Sequence, residues 1–286
     1  MRFAAPARDK VDPVVFACPP LSLWREFAHL TEASDWPRVD ELNADAGPQA
    51  VAAGKKIRFV AQTPALLADG MHYEQRIASR GEIATREGNW HDLLNALVWL
   101  RYPALKAALN ARQVAEIAVA GPKKRTRAQC ALTHFDEAGT VVLLRDPALL
   151  ALWDAHDWHG LFWRERAAWS DGRIAVHVFG HALLEHALKP GQLLVGKALV
   201  VTVARSGNAQ ADSGDSSAPT DRPIAELADA IQRGDLLNDP QELRPLPLSG
   251  IPAWHADNAV ERFYREAPCF CPLRAGRCYP APFAQG

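Results

Sequence analysis

The stretch from Gly88 to Pro103, Gly-Asn-Trp-His-Asp-Leu-Leu-Asn-Ala-Leu-Val-Trp-Leu-Arg-Tyr-Pro, constrains this chain more than any other. Its apolar residues recur at helical spacing, Asn89 is a residue type that caps helix N-termini, and Asp92 falls in the first turn, where the helix dipole favours a carboxylate. The spacing predicts a helix over about Asn89 to Leu100. Pro103 then suits the first position of a second helix, carried to about Ile117 by Leu105, Leu109 and Val114, so the two helices meet at a tight corner. Turning about 100° per residue from His91 puts Asn95 near 40° and Asp92 near 100°, while Trp90, Leu93, Leu94, Leu97 and Leu100 crowd the other side.

Three polar side chains therefore share one edge of an apolar helix. A histidine and a carboxylate converging at this spacing, with asparagine supplying a neutral oxygen, can ligate a divalent metal or orient a water. The same residues also serve as an N-terminal capping network, with Asp92 bonding first-turn amides and His91 and Asn95 tying down the segment before the helix.

A second pair, His181 and Glu185, stands at i and i+4 in a helix, His181 to Leu188, expected after the β-rich run Arg173 to Gly180. Strand-to-helix junctions with a glycine at the turn often carry functional groups in mixed α/β folds. Such pairs also occur as plain surface or supporting contacts. If both helices face one cleft, His91, Asp92, His181 and Glu185 make a set of metal ligands. With Asn95 beside them, a bound divalent cation would activate water for hydrolysis of a small-molecule substrate.

Asn89-Trp90-His91-Asp92 with Asn95, followed by Tyr102-Pro103 and Lys106-Ala107-Ala108-Leu109-Asn110, resembles the signature of the bacterial family catalogued as domain of unknown function 3025. Gly180-His-Ala-Leu-Leu-Glu185 resembles a further part of the same pattern. The resemblance runs from the first helix to about residue 205 and more loosely into the tail. It brings no assigned activity. It implies that the polar edge of the helix, and not only its apolar face, is what marks the segment.

Elsewhere, alternation predicts a strand over Lys55 to Ala61, and two short strands, Tyr73 to Ala78 and Glu82 to Arg86, forming a hairpin around Ser79-Arg-Gly81. Thr140 to Leu144 and Leu193 to Val203 read as strands. Asp146-Pro147 opens a long aromatic helix that reaches Trp163 with a break near Gly160, and Arg222 to Arg233 is an amphipathic helix. Phe135-Asp136-Glu137-Ala-Gly139 could lend Asp136 to a site, but a turn with acidic residues and glycine is the ordinary way to begin a strand, and it is read as that. Residues 205–221 carry almost no apolar side chains and should form a disordered insertion. The expected fold is α+β or mixed α/β: a single domain over 1–286, with helices packed around a modest sheet and a proline-rich C-terminal tail.

Composition narrows the function. Lys+Arg at 32 against Asp+Glu at 33 leaves a net charge of -1, which argues against nucleic acid as a partner. No apolar run is long enough for a membrane span, and the first ten residues break every apolar run with charge or proline, so the expected location is cytoplasmic. Five cysteines is an odd count, and Cys269-x-Cys271-x6-Cys278 with His255 upstream lacks the paired spacing of structural zinc, which favours reduced thiols. Gly-rich phosphate fingerprints, Gly-x-Ser-x-Gly and His-Glu-x-x-His are all missing. Three functions stay open: a metal-assisted or acid–base hydrolase built on His91, Asp92, Asn95, His181 and Glu185; a non-catalytic binding or scaffold protein with a buried polar network; and recognition of a phosphorylated small molecule or nucleic acid through Arg76, Arg86, Arg101 and the basic run 123–127.

Overall fold

The computed structural model describes residues 3–46, 51–52, 54–121, 124–203 and 221–285. Strands β1 (Arg58–Ala61) and β2 (Glu82–Thr85) lie parallel, with Phe59 opposite Ile83, and helix α1 (Tyr73–Arg80) crosses between them. This corrects the hairpin expected for Tyr73 to Arg86. Arg76 and Ile77 share the buried face of α1, and Arg76 is only 1% exposed, because Asp69 and Glu82 both bind its guanidinium. A buried, paired arginine counts as polar in any hydropathy pattern, so the helical period was hidden. Gly81 closes α1 in the left-handed conformation (φ +69°), and a Cβ there would sit 2.4 Å from the Lys56 carbonyl oxygen.

Helix α2 (Trp90–Arg101) starts where expected: the Asn89 side chain accepts from the Asp92 amide at 3.1 Å. Helix α3 (Pro103–Ala120) follows with proline at its first position. Helix α4 (Arg127–Ala138) is capped reciprocally by Thr126 and Gln129 and runs straight into strand β3 (Gly139–Leu144). Helices α3 and α4 are antiparallel neighbours, since Lys106 reaches Asp136 near one end and Glu116 reaches Thr126 at the other.

Strand β3 is buried throughout and forms the centre of a mixed sheet. It pairs antiparallel with β4 (Ile174–Val178) on one side and parallel with β5 (Val195–Thr202) on the other. Beyond β5 the sheet continues to antiparallel β6 (Arg244–Pro247), and β7 (Phe283–Ala284) adds parallel to the far end of β5. The aromatic helix after Asp146 stops early, as α5 (Ala148–Asp154). His156 takes a positive φ of 54°, and residues 160–164 rewind as a π-helical turn that still buries Leu161 and Phe162 completely.

Helix α6 (His181–Ala187) follows β4 directly, and α7 (Asp221–Arg233) opens as the amphipathic pattern requires. One continuous core runs from Val15 to Tyr264 and includes Trp99, Phe135, Trp153 and Phe162. The result is a mixed α+β fold of a single domain. The expected insertion lies outside the described residues except for Asp221, which begins α7. No helix among the described residues is long and apolar enough to cross a membrane.

Candidate metal centre

The α4–β3 junction is the seat on which α6 starts. Both Phe179 and Gly180 donate their amides to the Gly139 carbonyl, at 2.9 and 2.8 Å. A Cβ on Gly180 would lie 2.5 Å from Ala138 Cα, so only glycine lets the start of α6 come this close to the end of α4. His181, the first residue of α6, is thereby set against Asp136 and Glu137 in the last turn of α4. His91 reaches the same point from the first turn of α2.

His91 and His181 meet edge to face, with ring centroids 4.5 Å apart and an interplanar angle of 77°. Their Nε2 atoms face each other at 3.1 Å. Two nitrogens each about 2.05 Å from one tetrahedral ion would stand about 3.3 Å apart, so the pair is nearly preset for a shared cation. Ligand atoms of His91, His181 and Glu137 all lie within 4.8 Å of one another. This is the one gathering of three or more His, Cys, Asp or Glu ligands among the described residues.

A carboxylate stands behind each imidazole. His91 donates from Nδ1 to Glu185 Oε2 at 3.0 Å, which leaves its Nε2 for the shared point. His181 Nδ1 is buried against the Asp136 backbone with no short hydrogen bond, and its carboxylate partner is Asp136 Oδ2 at 3.8 Å. Carboxylates in this position fix the tautomer and orientation of metal-bound histidines.

The two rings differ electrostatically. The hydrogen bond to Glu185 raises the pKa of His91 and outweighs the effect of burial. Burial, with the charges of Lys106 and His91 adding to it, pushes His181 down to about 4 against the pull of Asp136. His181 is therefore neutral at ordinary pH, the state in which imidazole ligates. Burial alone would raise the Asp136 carboxyl, but Lys106, His181 and His91 together outweigh it and hold Asp136 below its ordinary value. The Lys106 ammonium, 6% exposed, donates to Asp136 Oδ1 at 2.6 Å and to Asn95 Oδ1 at 2.8 Å, and Asn95 in turn donates to the Tyr73 hydroxyl at 3.1 Å.

Of the five residues singled out from sequence, His91, His181 and Glu185 come into contact with one another. Asn95 lines the same cavity one turn along α2, tied to Lys106. Asp92 also lines the cavity, but both of its oxygens are taken by Arg86, at 2.7 Å from Nη2 and 3.0 Å from Nε, with the Arg86 amide at 2.7 Å as well. Sequence reasoning weighed Asp136 and set it aside, gave Glu137 no role, and placed both in a turn. Extending the apolar period of Ala128, Ala131, Leu132 and Phe135 by one more turn would have put both on a helix. Arg76 and Arg101 are committed to structure, the first as described and the second to Glu26 at 3.3 Å and to the Trp24 ring.

The centre opens into a cavity of about 400 Å³ lined largely by polar groups, among them Glu74, Asn110 and Lys106. Burial pushes the Glu74 carboxyl up to about 7, with Asp136 adding to the rise and Asn110 and Lys106 opposing it. An acid raised above its ordinary 4.5 holds more protons when folded, so its contribution to stability falls as pH rises from about 4.5 through 7. Glu74→Gln should therefore narrow the loss of melting temperature between about pH 5 and pH 8. An unchanged difference between the two pH values would show that Glu74 titrates as an ordinary surface acid.

Fold and site together define a mixed α+β domain with a histidine–carboxylate centre where α2, α4 and α6 meet. Residues 57–274 match the family described as Protein of unknown function (DUF3025), and the chain belongs to that family. Neither the curated proteins nor the solved structures give a match.

Proposed function

We propose that this protein is a metal-dependent hydrolase in which His91, His181 and Glu137 hold one divalent cation and the adjoining cavity receives a small-molecule substrate. The observation that carries this reading is the facing pair of Nε2 atoms with a carboxylate behind each ring. Two histidines and one carboxylate are a familiar ligand set for catalytic zinc, and three protein ligands leave a position for water. A cation so placed supplies a hydroxide-like nucleophile near neutral pH. Glu185 holds His91 by its Nδ1 proton, Asp136 faces the Nδ1 of His181, and Lys106 keeps Asp136 ionised and in place. Asn95 extends this polar wall toward Tyr73. Asp92 supports the site at one remove, by joining the start of α2 to Arg86.

The test uses protein purified without a histidine tag, stripped with a chelator and reloaded with Zn²⁺, Mn²⁺ or Mg²⁺, then screened against esters, amides, phosphate esters and glycosides. The expected result is turnover in one class that needs the cation and falls at least about 100-fold in a folded His181→Gln variant, more than the loss of a supporting residue would give. If the parent neither takes up metal nor turns over any substrate, the polar residues form a structural network and the protein is a non-catalytic binding or scaffold domain.

A further inference from the structure

Building on the metal-centre reading, we propose that the far end of the same cavity is a phosphate subsite. The substrate is then an extended polar molecule that carries a phosphate monoester at the end away from the cation. The cavity follows the groove between α3 and α4. Lys106 and Ile117, which both line it, stand about 16 Å apart along α3 at 1.5 Å per residue. The histidines and Glu137 occupy one end. Lys124 and Arg125, just before the first turn of α4, line the other.

The distribution of charge along the groove points to the ligand. Lys106 is answered by Asp136 and Arg86 by Asp92. Lys124 and Arg125 are exposed, and neither forms an ion pair among the described residues. The helix start itself is already satisfied, because Thr126 and Gln129 cap it reciprocally, so these two side chains are free to hold an anion. Between the two ends lies Asn110, 2% exposed. Its amide nitrogen donates to Glu74, while its buried Oδ1 has no donor. A buried acceptor without a partner on the wall of a cavity fits a ligand that brings a hydroxyl or amino group to it. Two adjacent cations, one with the planar fork of a guanidinium, match a dianion better than a carboxylate, and a phosphate monoester carries a charge of about −1.5 to −2 at neutral pH.

The subsite can be tested apart from the metal. Chelator-treated full-length protein is titrated with inorganic phosphate and, separately, with acetate, and the same preparations are then assayed for zinc uptake. Phosphate is expected to bind, acetate at least about tenfold more weakly, and the double variant Lys124→Gln/Arg125→Gln should lower phosphate affinity at least about tenfold. The variant should keep the parent melting temperature, since both side chains are exposed and form no ion pair among the described residues, and should keep its zinc uptake. Mutation-sensitive phosphate binding in a chain that takes up no zinc would uphold the subsite while sinking the metal reading. No phosphate binding, binding indifferent to the double variant, or equal binding of acetate would overturn the subsite whatever the zinc result.

Discussion

Gly180→Ala is expected to destabilise the protein by about 1–3 kcal/mol and to weaken its metal affinity at least about tenfold. The added methyl would meet Ala138 Cα and the Gly139 amide nitrogen at 2.5 Å and the Ala138 carbonyl carbon at 2.6 Å. All three are backbone atoms at the joint between α4 and the fully buried strand β3, so they cannot swing aside as a side-chain tip would. Relief comes by lifting α6 away from α4. That movement separates His181 from Glu137, and coordination tolerates only about 0.2 Å of error in ligand distance. Thermal unfolding and zinc titration of one preparation check both halves. A variant with the parent's stability and affinity would show that α6 is not held against the junction.

Leu97→Ala should cost about 2–5 kcal/mol, from lost transfer energy plus the cavity left behind. Leu97 is 1% exposed, and it lies on the face of α2 away from His91, beside the buried Trp90 and Leu93. Because the lesion is in the core and not at the metal centre, the folded fraction should bind zinc as tightly as the parent does. Urea unfolding gives the stability, and a midpoint shifted no more than by a surface substitution would mean that the buried face of α2 is misassigned.

These two positions also show what could be read from the chain. Leu97 belongs to a helix whose cap, dipole-matched acid, apolar stripe and following proline all agree, so Asn89 to Pro103 was legible from local rules alone. The same agreement made β3, α6 and β5 legible. The segment Tyr73 to Arg80 was not, because Arg76 occupies a core position that only its pairing with Asp69 and Glu82 makes tenable. For the centre, i to i+4 spacing on two helices brought His91, His181 and Glu185 to notice. Spacing carries no information about which way a neighbouring helix presents its own residues. Glu137 and Asp136 come from a third helix, and what brings them in is the close approach at Gly180, a long-range contact with no local signature. Asp92 shows the converse, a local rule whose partner the spacing does not reveal. It obeys the local rule for first-turn acids, and its oxygens are then taken by Arg86 six residues back.

The most direct test of the centre is X-ray absorption at the zinc edge on tag-free protein stripped and reloaded with one equivalent of zinc. The expected spectrum has two imidazole nitrogens at about 2.0–2.1 Å together with oxygen ligands and no sulfur. His91→Gln and His181→Gln should each abolish that signal while the protein stays folded, and the double variant should be no worse than either single one. Failure to retain zinc, or a first shell of sulfur drawn from Cys269, Cys271 and Cys278, would contradict a centre made by His91, His181 and Glu137.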